Sequence, residues 1–211
     1  SSASPALMKG SRESGAGRWT VIQVPTMSFY EYCELLDLDR PNIASDLKVT
    51  TLLHKSQIER TQIMMQLSKV QNHFMRYLQV GGFPELALAD NDLMAQQIMR
   101  EDVVDKVLKR DLPSLYNIRN ATELERIFLY LCNVSSEIVS IEAITKELNG
   151  VSRTTVENYI QYLESANLIY QSWPVDMAGK KVLKARPKIY IADAAIRNAV
   201  LMDDSVLTDP V

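Results

Sequence analysis

The spacing of hydrophobic residues predicts a mainly helical chain. The clearest stripe runs from about Ile58 to Val80, where apolar residues recur every three or four positions, as on the buried face of an amphipathic helix. A second helical pattern spans Leu93 to Arg110, before Leu112-Pro113 disfavours a further turn. The apolar positions are Ile63, Leu67, Val70, Phe74, Tyr77 and Leu78 in the first pattern and Ile98, Met99, Val103 and Val107 in the second. Each segment is expected to pack one face against a core.

A pair of glycines separates the two helical patterns, in the sequence Gly81-Gly82-Phe83-Pro84-Glu85. Glycine accepts the positive φ that ends a helix, and proline fits the first turn of the next one. The simplest interpretation is a helix stop followed by a helix start, since Gly-Gly and Pro punctuate many helical proteins. The alternative is a functional hinge between two differently built halves of the chain.

Before the first stripe, the chain offers one β-rich run and one helix start. Trp19 to Val24 is partly alternating and predicts a strand, which is expected to pair with a sheet outside this chain or to stay unpaired. Ser28 to Glu31 is a capping box that is expected to open a short helix. Residues 1–18 have neither a signal-peptide core nor a helical pattern, so the chain is expected to be a fragment entered from a missing segment.

The last third of the chain predicts a helix-turn-helix followed by a wing. Ser140 and Ser152 are expected to cap two short helices, with Asn149-Gly150 as the left-handed stop between them. The runs Leu168 to Val175 and Lys188 to Ala192 suit two strands joined by a basic loop. Another capping box, Thr122 to Glu125, is expected to open the helix that precedes the pair.

Composition fits a globular protein without a membrane span. The chain has 211 residues, of which 46% are hydrophobic and 23% charged, and its apolar runs are too short to cross a bilayer. Cys33 and Cys132 are the only cysteines, so no disulfide framework or zinc cluster is expected. We interpret both as buried thiols in a reducing, cytoplasmic compartment.

Signatures of a complete enzyme are missing, because the sequence contains no Gly-rich phosphate loop, no nucleophile elbow and no zinc helix. Glu101, Asp102 and Asp105 alternate with basic residues and predict a solvated, salt-bridged surface rather than a metal site. His54 and His73 lack partners at ligand spacing and are assigned to structure. Asp193, which follows a β-rich run as the acid of an ATPase metal motif does, is instead expected to cap a helix beginning at Ala194.

Nucleic acid is the partner that a winged helix most often suggests, because its second helix enters the major groove while the wing contacts phosphate. The net charge of -3 does not favour a chain wholly devoted to this task. The candidate contacts are Arg153, Thr154 and Asn158 on the second helix and Lys180, Lys181 and Lys184 in the wing. A helix-turn-helix that serves only as a protein-contact module is the alternative.

Taken together, the motifs resemble bacterial and archaeal AAA-type ATPases that carry an uncharacterised C-terminal region. Ser1-Ser2-Ala3-Ser4 is similar to the sensor-one loop of that family, Glu13 to Arg18 to its Gly-Arg turn, and Val24 to Glu31 to its last core strand. The assignment becomes specific when these are joined, in this spacing, to Gly81–Glu85 and Lys188–Asp193. The resemblance covers nearly the whole chain and implies that the phosphate-loop core precedes it.

The resemblance also implies roles for individual residues. Ser1 or Ser2 matches a hydroxyl near the γ-phosphate that orients the attacking water, and Arg18 matches an arginine that neutralises the transferring phosphoryl group, in cis or across a subunit boundary in a homo-oligomer. Gly82 and Pro84 are the implied nucleotide-binding residues, with Pro84 against adenine. ATP and Mg are therefore expected cofactors of the full-length protein, and none is expected for this fragment alone.

The expected fold is mainly α: a helical lid and a winged helix-turn-helix, with a short β remnant of an α/β ATPase core at the N-terminus. Its domains are the core remnant (1–25), the lid (26–117), the winged helix (118–193) and a linker or tail towards a missing C-terminal region (194–211). The expected partner is the missing phosphate-loop core in cis, with DNA and a second copy left open and no membrane. A winged-helix DNA-binding regulator and a protein-interaction module are the alternative functions.

Overall fold

Helices dominate the computed structural model, which describes residues 22, 24–40, 43, 47–175 and 185–202. The helices are α1 (Phe29–Leu35), α2 (Val49–Leu52), α3 (Gln57–Val80), α4 (Pro84–Ala87), α5 (Asp92–Ile98), α6 (Leu112–Tyr116), α7 (Ala121–Asn133), α8 (Ile141–Glu147), α9 (Arg153–Ser165) and α10 (Ala194–Leu201). Two π-helical segments, π1 (Met99–Asp105) and π2 (Val107–Asp111), connect α5 to α6. A small antiparallel sheet contains β1 (Ile169–Ser172) and β2 (Lys188–Ile191). The prediction of a mainly helical protein is confirmed.

Side-chain caps define several helix starts as the sequence predicts. The Ser28 hydroxyl accepts the Glu31 amide and the Glu31 carboxylate accepts the Ser28 amide, which is the complete capping box of α1. Ser140 and Ser152 cap α8 and α9. Gly150, in the turn between these two helices, has a φ of +95° and supplies the left-handed stop.

The predicted capping box at Thr122 is wrong. Helix α7 begins one residue earlier, at Ala121, and its N-cap position is Asn120. The Asn120 side chain makes no bond to the helix backbone and donates instead to the Glu123 carboxylate, at 2.9 Å. Because Thr122 already lies inside the first turn, its hydroxyl is not at the position from which a cap is made.

The predicted helix stop at Leu112-Pro113 is also wrong, because the chain continues from π2 directly into α6. Asp111 and Leu112 keep right-handed helical dihedrals. Pro113 is the second residue of α6, and its fixed φ is compatible with helical backbone. The helix ends instead at Asn117, which has a left-handed φ of 53°.

The register of the small sheet separates an inner face from an outer face. Tyr170 lies opposite Tyr190, and Ile169 opposite Ile191. Ile169 and Ile189 are buried, whereas both tyrosines are exposed. Ile138 adds an isolated antiparallel bridge to Lys188, on the side of β2 away from β1.

The buried residues of the predicted lid and of the helix pair with its hairpin form one continuous apolar cluster. Helix α10 belongs to this cluster: Ala195, Ile196 and Ala199 are buried, and the helix packs against α3 and π1. Residues 194–201, part of the segment interpreted as a linker, therefore contribute to the core. The sequence had predicted the start of this helix at Ala194 but not its burial.

Helix α3 is only partly covered. Val70 and Val80 are buried, and α1 packs on the C-terminal half, where the Phe29 ring meets Phe74 and Tyr77. Farther towards the N-terminus, residues of the predicted stripe such as Leu67 remain exposed. The run predicted as a strand, residues 19–24, is described only at Ile22 and Val24, which are exposed and lie in no strand.

Candidate functional site

Gly81, the first of the paired glycines at the end of α3, is held in a conformation that only glycine adopts easily. Gly81 has a φ of +81°, and its amide donates to the Tyr77 carbonyl at 2.8 Å, closing the helix. A Cβ atom built on Gly81 would lie 2.6 Å from Oδ1 of Asp193 and 2.9 Å from Cβ of Ala195. Both the backbone and the close packing therefore require glycine here.

Gly82 connects two distant segments of the chain through its backbone. Its amide donates to Oδ2 of Asp193 at 2.9 Å, and its carbonyl accepts the amide of Met27 at 2.7 Å. A Cβ atom on Gly82 would overlap the Met27 carbonyl oxygen. Gly82 is buried, and both of its backbone groups are engaged within the protein. Its contribution is to position the chain on either side of it, and its direct contact with nucleotide stays a prediction.

Asp193 completes this arrangement, which we call the hinge clasp (Met27, Gly81, Gly82 and Asp193). Its side chain is the N-cap of α10, as predicted, with Oδ1 accepting the Ala195 amide at 2.9 Å. The same carboxylate accepts the Gly82 amide, so one buried side chain joins two elements. Burial raises the pKa of Asp193, while the hydrogen bonds from the Gly82 and Ala195 amides oppose that rise.

Two further side chains hold the clasp in place. The Tyr77 hydroxyl donates to the Met27 carbonyl at 2.7 Å, and burial raises the pKa of this phenol. From α10, the Asn198 amide donates to the Leu78 carbonyl at 3.3 Å. The last turn of α3 is thus bonded both to the segment before α1 and to the last helix.

Pro84 lies beside the clasp, at an open cleft of about 500 Å³. It is exposed and occupies the first turn of α4, as predicted. The cleft is lined by Phe83, Pro84, Glu85, Leu86, Ile98, Asp102, Val103 and Lys106. Asp102 and Lys106 form an ion pair on the wall made by π1 and the residue after it. Pro84 can therefore meet a ligand from solvent, whereas Gly82 is enclosed.

An internal network on the other side of α3 went unpredicted. The Arg76 guanidinium donates to Asp92 at 2.9 Å, to the Tyr32 hydroxyl at 2.7 Å and to the Ala87 carbonyl at 3.2 Å. These bonds tie α3 to α1, α4 and α5. The only sequence signal is a cation next to the apolar stripe, which does not identify its partners.

The predicted nucleic-acid residues of α9 share its exposed surface, but the cation among them is already paired. Arg153 donates to Glu142 at 2.7 Å and to Glu157 at 2.9 Å. Thr154 and Asn158 are exposed. The two carboxylates offset the only positive charge on α9, which weakens this helix as a phosphate-binding surface.

The remaining predicted site residues lie outside the described part of the chain. They are the catalytic candidates Ser1, Ser2 and Arg18 and the wing lysines Lys180, Lys181 and Lys184. Within the described ranges, no group of three or more His, Cys, Asp or Glu side chains is arranged to hold a metal ion. No helix in those ranges is long and apolar enough to span a bilayer.

Comparison with known proteins identifies the family. Residues 71–206 match the family described as domain of unknown function DUF8612, and the chain belongs to it. An uncharacterised protein of Haemophilus influenzae is 24% identical over 72% of this chain and 38% of its own length. The uncharacterised protein MJ1544 of Methanocaldococcus jannaschii is 32% identical over 54% of this chain and 25% of its own length. The chain thus spans well under half the length of these relatives, and no solved structure matches it.

Proposed function

We propose that this chain is the helical lid and winged-helix part of an AAA-type ATPase, and that it changes conformation when nucleotide binds to a phosphate-loop core in the same polypeptide. In this assignment α1 to α6 form the lid, and α7 to β2 form the winged helix. The succession of α8, a turn, α9 and an antiparallel hairpin supports the second part of the assignment. The relatives are much longer than the matched region, so they have room for additional domains.

One observation carries the proposal: Gly82 bonds in one direction to Met27 and in the other to Asp193. Met27 belongs to the segment that would leave the nucleotide-binding core, and Asp193 begins the helix after the wing. A displacement of the core against the lid could therefore be passed to the winged helix through Gly82. Such a two-sided backbone contact provides a physical connection between nucleotide state and domain position.

Pro84 supplies the ligand side of the proposal. It stands exposed at the cleft directly after the clasp, where an apolar ring can lie against a flat base. ATP with Mg would supply the phosphoryl chemistry in the core, and Arg18 with Ser1 or Ser2 would act there. This chain alone has no phosphate loop and is not expected to hydrolyse ATP.

The first test is the sequence upstream of this chain. A Gly-x-x-x-x-Gly-Lys-Ser/Thr motif there supports the ATPase, and its absence refutes the proposal. In the longer chain, Pro84→Ala should weaken ATP binding by about 1 kcal/mol with little change in the hydrolysis step. Leu88→Ala is the matched control, since Leu88 is 60% exposed and does not line the cleft.

Arg18 gives the complementary test. Arg18→Ala should leave ATP affinity near normal and lower single-turnover hydrolysis by roughly a thousandfold. If Arg18 acts between subunits of a homo-oligomer, mixing this variant with a phosphate-loop-dead variant should restore part of the activity. If Arg18→Ala hydrolyses ATP normally and Pro84→Ala binds ATP normally, the glycines and Pro84 only end one helix and start the next.

A further inference from the structure

The outer face of the hairpin presents two aromatic rings to solvent. Tyr170 and Tyr190 are direct cross-strand neighbours, with 48% and 38% of their surfaces exposed. Residues opposite each other in an antiparallel pair stand on the same face, about 5 Å apart at their Cβ atoms. The two rings therefore form one exposed aromatic surface, whereas Ile169 and Ile189 are buried on the opposite face.

A cation stands on the same face. Lys188 is two residues from Tyr190 on β2, so its side chain alternates to the same side, and it is exposed. Ser172 lies opposite it on β1, and Ile138 is bridged to it from the other side. We call Tyr170, Tyr190 and Lys188 the tyrosine face.

Cations are frequent in the sequence of the hairpin and its connection. From Trp173 to Lys188 the sequence has five cations and one carboxylate, Asp176. Arg186 forms an ion pair with Glu142, at 3.7 Å. In the described part of the chain, Lys188 has no ion pair. Arg153 on α9, in contrast, is held by two glutamates.

We propose that the tyrosine face binds single-stranded nucleic acid, with bases stacked on Tyr170 and Tyr190 and phosphates near Lys188. Exposed aromatic rings on a small sheet, flanked by cations, are the chemistry that binds unpaired bases and their backbone. Duplex DNA would need a basic second helix, and α9 does not provide one. This site is separate from the hinge clasp and does not depend on the proposed ATPase.

A peptide that adds a strand to the sheet is a weaker alternative, because the free edge of β1 is blocked. Glu164 on α9 accepts the Gln171 amide at 3.1 Å and the Gln171 side chain at 2.8 Å. A strand added at this edge would have to displace that carboxylate. Lysine is also depleted in the cores of protein interfaces, whereas it is common where phosphate is bound.

The test is fluorescence anisotropy with labelled deoxythymidine and deoxyadenosine oligomers of about 12 nucleotides and a duplex of the same length. Tyr170→Ala and Tyr190→Ala should each weaken single-strand binding about tenfold, and Tyr170→Phe should restore it because the ring remains. Tyr30→Ala is the matched control, since Tyr30 is 47% exposed on α1, away from the sheet. Lys188→Ala should lower the slope of log affinity against log salt by about 0.7, as expected for the loss of one phosphate contact.

A second measurement needs no alanine variant at the tyrosines. In a Trp19→Phe background Trp173 is the only tryptophan, and its fluorescence should change as the oligomer is added, since it follows β1 and is 53% exposed. Preference for duplex, binding that survives both tyrosine substitutions, or an equal loss in Tyr30→Ala overturns the proposal. So does the absence of single-strand binding at about 50 mM salt, which would leave the face to a protein partner.

Discussion

Replacement of Asp193 tests how strongly the clasp holds the protein together. In Asp193→Ala the Ala195 amide loses its cap, and the Gly82 amide is left buried without an acceptor. Loss of an N-cap costs about 1 kcal/mol, and an unsatisfied buried donor costs about 1–3 kcal/mol. We expect the free energy of unfolding to fall by about 2–4 kcal/mol, which is large against a typical total of about 5–15 kcal/mol.

Asp193→Asn removes the carboxylate charge while keeping the shape of the side chain. The amide keeps one oxygen, so one of the two backbone donors is satisfied while the other faces an NH₂ group. The loss should therefore be smaller than for alanine, about 1–3 kcal/mol. In a chain of this length each kcal/mol lowers the Tm by about 2–4 °C.

The pH dependence has a definite sign. Burial raises the pKa of Asp193 above its ordinary value of 3.8, so the folded state binds the proton more tightly than the unfolded state. The stability linked to this group is complete below pH 3.8 and is lost as pH rises through the folded-state pKa. Asparagine does not titrate. The difference in free energy of unfolding between wild type and Asp193→Asn should therefore increase as pH falls.

Urea denaturation followed by circular dichroism measures these differences, and hydrogen exchange at the Gly82 amide reports the local effect. Asp39→Ala and Asp39→Asn are matched controls, because Asp39 is exposed. If the Asp193 variants are no less stable than these controls, the carboxylate is not what holds the hinge. If the stability difference between wild type and Asp193→Asn decreases as pH falls, the pKa of Asp193 is not raised in the folded state.

Other positions give further tests. Gly81→Ala should lower the free energy of unfolding, measured in urea, by at least about 2 kcal/mol, because alanine is strained at a φ of +81° and its Cβ would displace Asp193. Gly150→Ala is the control: there is open space at its Cβ, so only the backbone strain should lower the stability. Cys132 should react with a thiol reagent at pH 8 only after unfolding, since burial raises its pKa to about 12, and immediate reaction would contradict this. Arg153→Ala should leave the Tm nearly unchanged, because its ion pairs are exposed to solvent, and a clear drop in a thermal scan would contradict this.

Local signals in the sequence predicted local structure well. The capping serines at 28, 140 and 152 and the left-handed glycines at 81 and 150 all have the predicted roles. Each depends on residues no more than four positions apart, so the pattern contains the whole interaction. The predictions at Thr122 and Pro113 were wrong because they depended on the exact position of a helix end. A helix start shifted by one residue, or a π-helical turn before the proline, changes which backbone groups lack a partner.

The local parts of the hinge clasp could be predicted from the sequence, but the contacts that join them could not. Asp193 as a cap follows from the sequence, and so does the break at Gly81. The bond between Asp193 and Gly82 joins residues separated by 111 positions, and no spacing rule connects them. The same holds for the hydrogen bond between Met27 and Gly82, because α1 and α3 lie between these residues in the sequence.

Helix α3 shows the same limit in a different form. Its apolar stripe predicted burial along the whole helix, but Leu67 and Phe74 remain 39% and 41% exposed, whereas Val70 is buried. Periodicity records that a helix has an apolar face, whereas burial depends on which element covers that face. The apolar face of α3 therefore extends beyond the elements that cover it.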